Sequence, residues 1–505
     1  MPLTPLPISG PVYKVDKSAT PGSFASELKD CYLDELGNTV KRPGLTEWVN
    51  LGLSSAVDGL YWWDEKAMVI AVCGGRVWKI TDRNGTKQEI TGEQLQVGRR
   101  PSFATDGTYL FAANGGRVVY TNGANNTLYV PDVDAPTEVD FVDWVDLYLL
   151  MQKKGTDQLF YSEVASPMDV SPLNFDVSYS QPDVTVAMGV ANGEILTLGR
   201  RSIETWANDG IGPFARLSSA SVSVGSRSPH SLCLIRGVWY FLDYERRLVR
   251  LTGRVPEILS TPVERIFATF GEVTDCLADF IFFAGQPLLV LSFPVEGKTW
   301  VYNVSTGQWQ GEWNYHNPLT GEHERWLGNC YCYARDWNLH LVGDRRTGKI
   351  YTLDAGAYTD NGNMIRASRM TGNIDHGTST GKRSNLVRLR LRRGPVFPGK
   401  SVLRPSAVED SEGDPVHDSD GLPVYDTEGE TVVLGQEMTL RWRDDGSQSW
   451  TGERVLNLGR TGENEFYAVV RNLGVYRSRQ YELVMSDDAP WVLVSGEEDV
   501  TVLTR

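Results

Sequence analysis

The sequence predicts an all-β chain organised around a β-propeller, and three observations carry that prediction. Strand-like apolar runs joined by tight, mostly glycine-bearing turns recur seven times along the first two thirds of the chain. Helical periodicity is almost absent, which argues against a helical solenoid or an α/β fold. Hydrophobic residues make up 41% of 505 residues and aromatics 10%. That is enough to bury several cores, and it excludes disorder, collagen and a coiled coil.

The first unit reads AMVIAVC (67–73), then Gly74-Gly75, then RVWKI (76–80). The second reads YLFAA (109–113), NGG (114–116) and RVVY (117–120). The same shape returns around Gly155, Gly199, Glu245, Gly297 and Gly348. The turn positions 75, 116, 155, 199, 245, 297 and 348 are separated by 41, 39, 44, 46, 52 and 51 residues. The strand after the turn usually carries an aromatic: Trp78, Tyr120, Tyr161, Trp206, Trp300 or Tyr351. Another strand-like run usually precedes the pair, as at 59–63 (GLYWW) and 329–333 (NCYCY). Four short strands in about 40–50 residues, repeated radially, is the arithmetic of a propeller blade. The expectation is a seven-bladed propeller over residues 46–360, or six-bladed if one unit belongs elsewhere. Residues 1–45 are loop-rich and form an N-terminal arm.

Past residue 361 the pattern changes. SNLVRLRLRR (384–393) alternates Leu or Val with Arg, the signature of a strand with one buried and one solvated face. An acidic stretch rich in Pro and Gly follows at 395–437 and reads as an exposed insertion. Further strands are expected at 438–443, 465–470, 480–485 and 491–495. Residues 361–505 therefore read as a β-sandwich with the acidic loop inserted at 395–437.

Charge narrows the functional classes. Lys and Arg total 49 against 64 Asp and Glu, a net charge of −15. A dedicated DNA-coating protein needs the opposite balance. The N-terminus has no basic segment before its prolines and does not read as a secretory signal. The longest apolar run, 277–293, is interrupted by Asp279, Gln286 and Pro287, so no membrane span is expected. The six cysteines, at irregular spacing, read as reduced, mostly buried thiols of a protein assembled in a cytoplasm.

Catalytic patterns are met only in fragments. Gly377-Thr378-Ser379-Thr380-Gly381 has nucleophile-elbow spacing but lacks the flanking strand and helix, and reads as a loop. His323-Glu324-Arg325-Trp326-Leu327 lacks the second His of a zinc-protease helix and reads as a surface loop. Cys330 and Cys332 share one strand face and read as small core residues. The carboxylates of 409–430 close no calcium-loop pattern. Arg388, Arg390, Arg392 and Arg393, with Lys382 and Arg383, form the strongest basic cluster. It reads as a nucleic-acid or acidic-partner contact, or else as a solvated strand face or one neutralised by the acidic loop that follows. No catalytic, metal or cofactor residue is assigned.

Asp445, Gly446 and Trp450 form a structural turn motif in Asp445-Gly446-Ser447-Gln448-Ser449-Trp450. The segment resembles the Asp-box hairpin of sialidases, with Ser447 in place of the second Gly. In that motif the Asp caps a tight turn through backbone N–H groups and the Trp packs beneath it.

Three features together resemble the tail hub, or nozzle, proteins of short-tailed bacteriophages, the packaged-DNA stabilisation proteins. The first is Lys41-Arg42-Pro43-Gly44-Leu45, followed by Val72-Cys73-Gly74-Gly75-Arg76-Val77-Trp78-Lys79. The second is Val186-Ala187-Met188-Gly189-Val190, Glu194 to Gly199 and Ser202-Ile203-Glu204-Thr205-Trp206. The third is LRWRDDGSQSW (440–450), then 458–463, Arg471-Asn472-Leu473-Gly474 and Met485-Ser486-Asp487. The resemblance covers most of the chain but not 395–437. It implies a non-enzymatic virion protein in a homo-oligomeric ring, expected to be a hexamer, assembled in the host cytoplasm. Such rings sit below the portal and its adaptor ring and meet tail needle, spike or fibre proteins. They extend the channel for double-stranded DNA, without sequence-specific binding, and retain it until ejection. Acidic residues lining that channel would repel phosphates and let DNA slide. The alternative class is a glycan-binding or glycosidase-type propeller for receptor recognition, which needs a constellation of charged residues at one end of the central channel.

Overall fold

The computed structural model describes residues 3–6, 9–11, 24–124, 127–128, 130, 132–177, 183–208, 210, 212–217, 222–259, 263–392, 401–403, 431–433, 437–457 and 465–503. The chain is all-β, and among the described residues the single α-helix is the four-residue turn Glu264–Phe267. It divides into two compact units. One contains residues 43–365; the other joins 17–42 and the first ten residues to 366–505.

The larger unit is built on a succession of seven sheets of at least three antiparallel strands each, among the described residues, beside a two-stranded pairing at 314–325. In the first, Val57–Trp63, Met68–Cys73, Arg76–Ile80 and Lys87–Gly92 pair in chain order. The turn at Gly74 (φ 57°) and Gly75 (φ 76°) needs a left-handed backbone at both central positions, which two glycines supply. The second sheet is Ser102–Thr105, Leu110–Ala113 and Val119–Thr121. The third is Val139–Val145, Tyr148–Lys153, Gln158–Tyr161 and Phe175–Val177. The fourth is Thr185–Ala191, Glu194–Gly199, Ile203–Ala207 and Ala215–Arg216. The fifth is Cys233–Ile235, Val238–Leu242, Leu248–Thr252 and Val255–Ile258. The sixth is Leu277–Phe283, Gln286–Phe293, Lys298–Asn303 and Gln308–Glu312. The seven turns picked out by sequence fall between the second and third strands of these sheets.

The seventh sheet begins with Gly328–Ala334, Leu339–Asp344 and Lys349–Asp354. Its fourth strand comes from the start of the unit: Gly44–Asn50 pairs antiparallel with Lys349–Asp354. Residues 44–45, read from sequence as the end of an arm, are therefore part of this sheet.

Continuous apolar runs arise because each central strand is buried on both faces. In Met68–Cys73, Val69, Ala71 and Cys73 pack with Leu341 and Ile350 of the seventh sheet. The alternate residues Ile70 and Val72 pack with Leu110 and Val119 of the second. Leu149 and Met151 of the third sheet likewise meet Phe111 and Ala113, while Leu150 turns to Leu196 and Phe241. The fifth sheet meets the sixth where the Arg236 guanidinium lies 5.5 Å from the Phe282 ring centre. Val290 and Val301 of the sixth join Val342 and Leu353 of the seventh. Packing thus runs from sheet to sheet and returns to the first.

The smaller unit has two large antiparallel sheets, beside a two-stranded pairing of Ser401–Leu403 with Thr431–Val433. One is ordered Cys31–Leu33, Thr39–Lys41, Val492–Val502, Lys382–Arg392 and Glu465–Tyr476, with Thr4–Leu6 paired to Val492–Val502. The other runs Phe24–Lys29, Ala367–Thr371, Arg479–Met485, Glu437–Asp444 and Gly452–Asn457. The two meet through buried side chains: the Tyr481 hydroxyl donates to Glu498 at 2.7 Å. The insertion at 395–437 lies almost wholly outside the described residues, as does the 458–463 run. His323–Arg325 is not a loop: it is a strand paired with Asn314–His316.

Candidate functional site

In four sheets the first strand carries a β-bulge close to its start, at Asp58, Asp140, Val186 and Asn329. A bulge re-aims the side chain of its extra residue. Two of these carboxylates hold the segment that leads into the second sheet. Asp58 accepts the Gly98 N–H at 3.3 Å, and Asp140 accepts from the Arg99 guanidinium at 3.0 Å. Asn114 completes the clamp: its amide donates to the carbonyls of Gln96 and Arg99 at 2.8 and 3.0 Å.

So held, Arg100 pairs through both terminal nitrogens with Asp279 on the first strand of the sixth sheet. The pair links sheets that are not neighbours in the succession, and both side chains are largely shielded, at 20% and 14% exposure. His230, before the fifth sheet, lies against Phe141 with ring centres 5.5 Å apart. Burial, then the charges of Arg100 and Arg99, push its pKa down to about 3, so it stays neutral. Burial pushes Asp58 and Asp143 up to about 6. Asp143 accepts N–H bonds from Trp144 at 2.8 Å and Val190 at 2.9 Å. All four first-strand carboxylates are thus engaged in holding backbone or arginine, rather than paired with one another for acid–base chemistry.

The turn motif read from sequence takes a specific form. Asp445 (φ 53°) and Gly446 (φ 74°) both adopt left-handed backbone. The Asp445 carboxylate accepts the N–H groups of Arg477 and Ser478, at 2.8 and 2.9 Å, so it ties its own hairpin to the next. The Arg441 guanidinium lies 4.2 Å from the Trp450 ring centre and that of Arg443 5.4 Å. The basic cluster divides. Lys382 is buried and donates to the carbonyls of Thr378 and Thr380 at 2.6 and 2.8 Å. Arg388 pairs with Glu497, and Arg390 with Glu465 at 2.8 Å, so the acids that neutralise these two come from flanking strands and not from the acidic loop that follows. Arg393 lies outside the described residues. Cys330 and Cys332 are buried, and the Cys330 thiol donates to the Val57 carbonyl at 3.3 Å.

Sequence reasoning passed over Arg100, Asp279, Asp58 and Asp140. The one visible signal was charge within or beside apolar strands, Asp279 above all.

Residues 23–358 match the family model described as Bacteriophage P22 Gp10, beta-propeller, which is more than half of the chain. The chain belongs to that family. The P22 Gp10 family consists of phage structural proteins, so this chain is a β-propeller structural protein of the phage tail with a DNA-stabilising role. Residues 359–505 lie beyond the P22 Gp10 match. No curated protein matches the sequence. Among solved structures, the computationally designed Ika8 protein is similar at 12% identity, over 61% of this chain and 99% of that one, with TM-score 0.36. YCF48 bound to D1 peptide is similar at 10% identity, over 62% and 97%, with TM-score 0.38. Likenesses this remote contribute nothing to the assignment. Among the described residues, no helix is long and apolar enough to cross a membrane.

Proposed function

We propose that this protein is a tail hub, or nozzle, subunit: six copies form a ring below the portal and adaptor of a short-tailed phage. The ring extends the DNA channel, retains the packaged genome and releases it at ejection. The P22 Gp10 match over residues 23–358 is the observation that carries this reading.

We read the seven sheets as seven blades and the second unit as a β-sandwich. Blades that share faces around a full circuit make a stiff body, suited to a tube wall under load. The Arg100–Asp279 pair supports a ring further. A propeller whose opposed blades are tied together does not offer its own axis as a conduit, so DNA passes through a lumen lined by several copies. The adaptor ring lies on one side of that ring, and a needle, spike or fibre on the other.

Imaging of purified phage particles labelled with an antibody against 395–437 tests the reading. Label at the tail, with six-fold symmetry in averages, is the expected result. Particles without the protein would overturn it.

A further inference from the structure

On an acidic chain, one surface concentrates unpaired arginines. The turn between the second and third strands of the fourth sheet carries Arg200 and Arg201, both exposed. Gly225 presses against it: a Cβ there would stand 2.2 Å from the Arg200 carbonyl carbon and 2.3 Å from the Arg201 nitrogen. Only glycine admits that approach, and it sets Arg227 beside the turn. Two backbone bonds lock the arrangement, from Ser226 N–H to Gly199 O and from Tyr244 N–H to Gly225 O, each 2.9 Å. Tyr244, in the corresponding turn of the fifth sheet, receives both arginines. The Arg227 guanidinium lies 3.8 Å from its ring centre and that of Arg201 5.6 Å.

The nearby carboxylates are already engaged. Asp183 accepts the Arg201 N–H at 2.6 Å and the Ser202 hydroxyl at 3.3 Å. Asp243 and Glu245 both hold Arg247. Among the described residues, none of Arg200, Arg201 and Arg227 has a carboxylate within ion-pair distance. The Arg227 Nε is buried with no acceptor. The Arg201 and Arg227 guanidinia are thus held against the Tyr244 ring with the exposed Arg200 beside them, and among the described residues the charge of all three is left uncompensated.

We propose that Arg200, Arg201, Arg227 and Tyr244 form a contact point for the phosphate backbone of duplex DNA. Rigid guanidinia and a tyrosine hydroxyl are the donors that phosphates take, and such contacts carry no sequence information. An acidic protein surface is the other class of polyanion. It is disfavoured because a protein interface needs an apolar core. None of the exposed large hydrophobic residues lies in 199–202, 222–228 or 243–247. The inference rests on the tail-channel reading and gives it detail: a few cations on a repelling wall would hold DNA weakly, without stopping its movement.

The test is fluorescence anisotropy of the purified full chain with a labelled duplex of about 30 base pairs, titrated at several salt concentrations from about 20 mM upward. Arg200→Ala/Arg201→Ala/Arg227→Ala should weaken binding at low salt at least about tenfold and flatten the log–log salt slope by up to about 3. The charge reversal Arg200→Glu, at an exposed side chain, should reproduce much of the loss, and both variants should melt like the parent. Equal binding by parent and triple variant, or no binding by the parent at low salt, would overturn the proposal. So would loss of self-association in sedimentation with DNA binding unchanged, which would mark a protein contact. Particle imaging keeps the two readings distinct. A protein found in tails whose DNA binding ignores these arginines loses only this inference, whereas one that binds DNA through them but is absent from particles loses the tail reading.

Discussion

Arg100 and Asp279, 179 residues apart in sequence, form a two-pronged ion pair that ties the second sheet to the sixth. Each is shielded enough that loss of its partner strands a charge away from water. Arg100→Ala or Asp279→Ala alone should therefore lower stability by about 3 kcal/mol. Arg100→Met/Asp279→Leu should recover most of it, since the pair must offset its own desolvation. Chemical denaturation of the three variants measures both values; equal losses in all three would show that packing, not charge, holds the position.

Asp58 provides a pH test. Burial raises its pKa from 3.8 to about 6, so the folded chain keeps this proton to a higher pH than the unfolded chain. The group's contribution is full below about pH 4 and is lost as pH rises through 6. Asp58→Asn keeps an oxygen for the Gly98 N–H and removes the charge. It should add up to about 2 kcal/mol at pH 7 and flatten the stability profile between pH 4 and 6.

His230 works in the opposite direction. Its pKa falls from 6.5 to about 3, so the unfolded chain takes up the proton first as the solution is acidified. Its contribution is complete above about pH 6.5 and is lost as pH falls towards 3. In a titration followed by NMR, the ring should remain neutral at pH 5. Protonation near 6.5 would mean the ring reaches water.

Glu498 anchors the smaller unit. It accepts from Tyr481 at 2.7 Å, Tyr476 at 3.0 Å and His376 Nε2 at 3.2 Å. Burial works against its charge, yet the donors His376 and Tyr481 hold its pKa below the ordinary 4.5. Its stabilisation is present above pH 4.5 and is lost as pH falls through that lowered value. Glu498→Gln should cost about 2 kcal/mol at pH 7, with the difference narrowing in acid. Thermal melts of both proteins at pH 7 and pH 3.5 check this.

The parts of this fold legible in the sequence were the local ones. A strand, a tight turn and a second strand lie within about 15 residues, and alternating burial stamps its period on that span. Hence the seven turns and the two-faced strand Lys382–Arg392, with Val387, Leu389 and Leu391 buried, could be read directly. The fourth strand of the seventh sheet could not, because nothing near Gly44–Asn50 names its partner. The same holds for Arg100: its meaning depends on Asp279, and periodicity does not report a contact across 179 residues. At the Asp445 turn, left-handed backbone suited Asp-Gly, but the acceptance of N–H groups from 477–478 rests on a neighbouring hairpin.

That closing strand also sets a schedule for biosynthesis. Lys349 meets Glu47 across 302 residues of chain. At about 5–20 residues per second, Gly44–Asn50 leaves the ribosome roughly 15–60 s before the strand that will cover it. For that interval the nascent protein holds an open edge, the template on which aggregation starts. Final locking of the larger unit thus waits until Lys349–Asp354 emerges, and a chain cut short before Lys349 would be handed to chaperones and proteases with the first six sheets made and the edge still open.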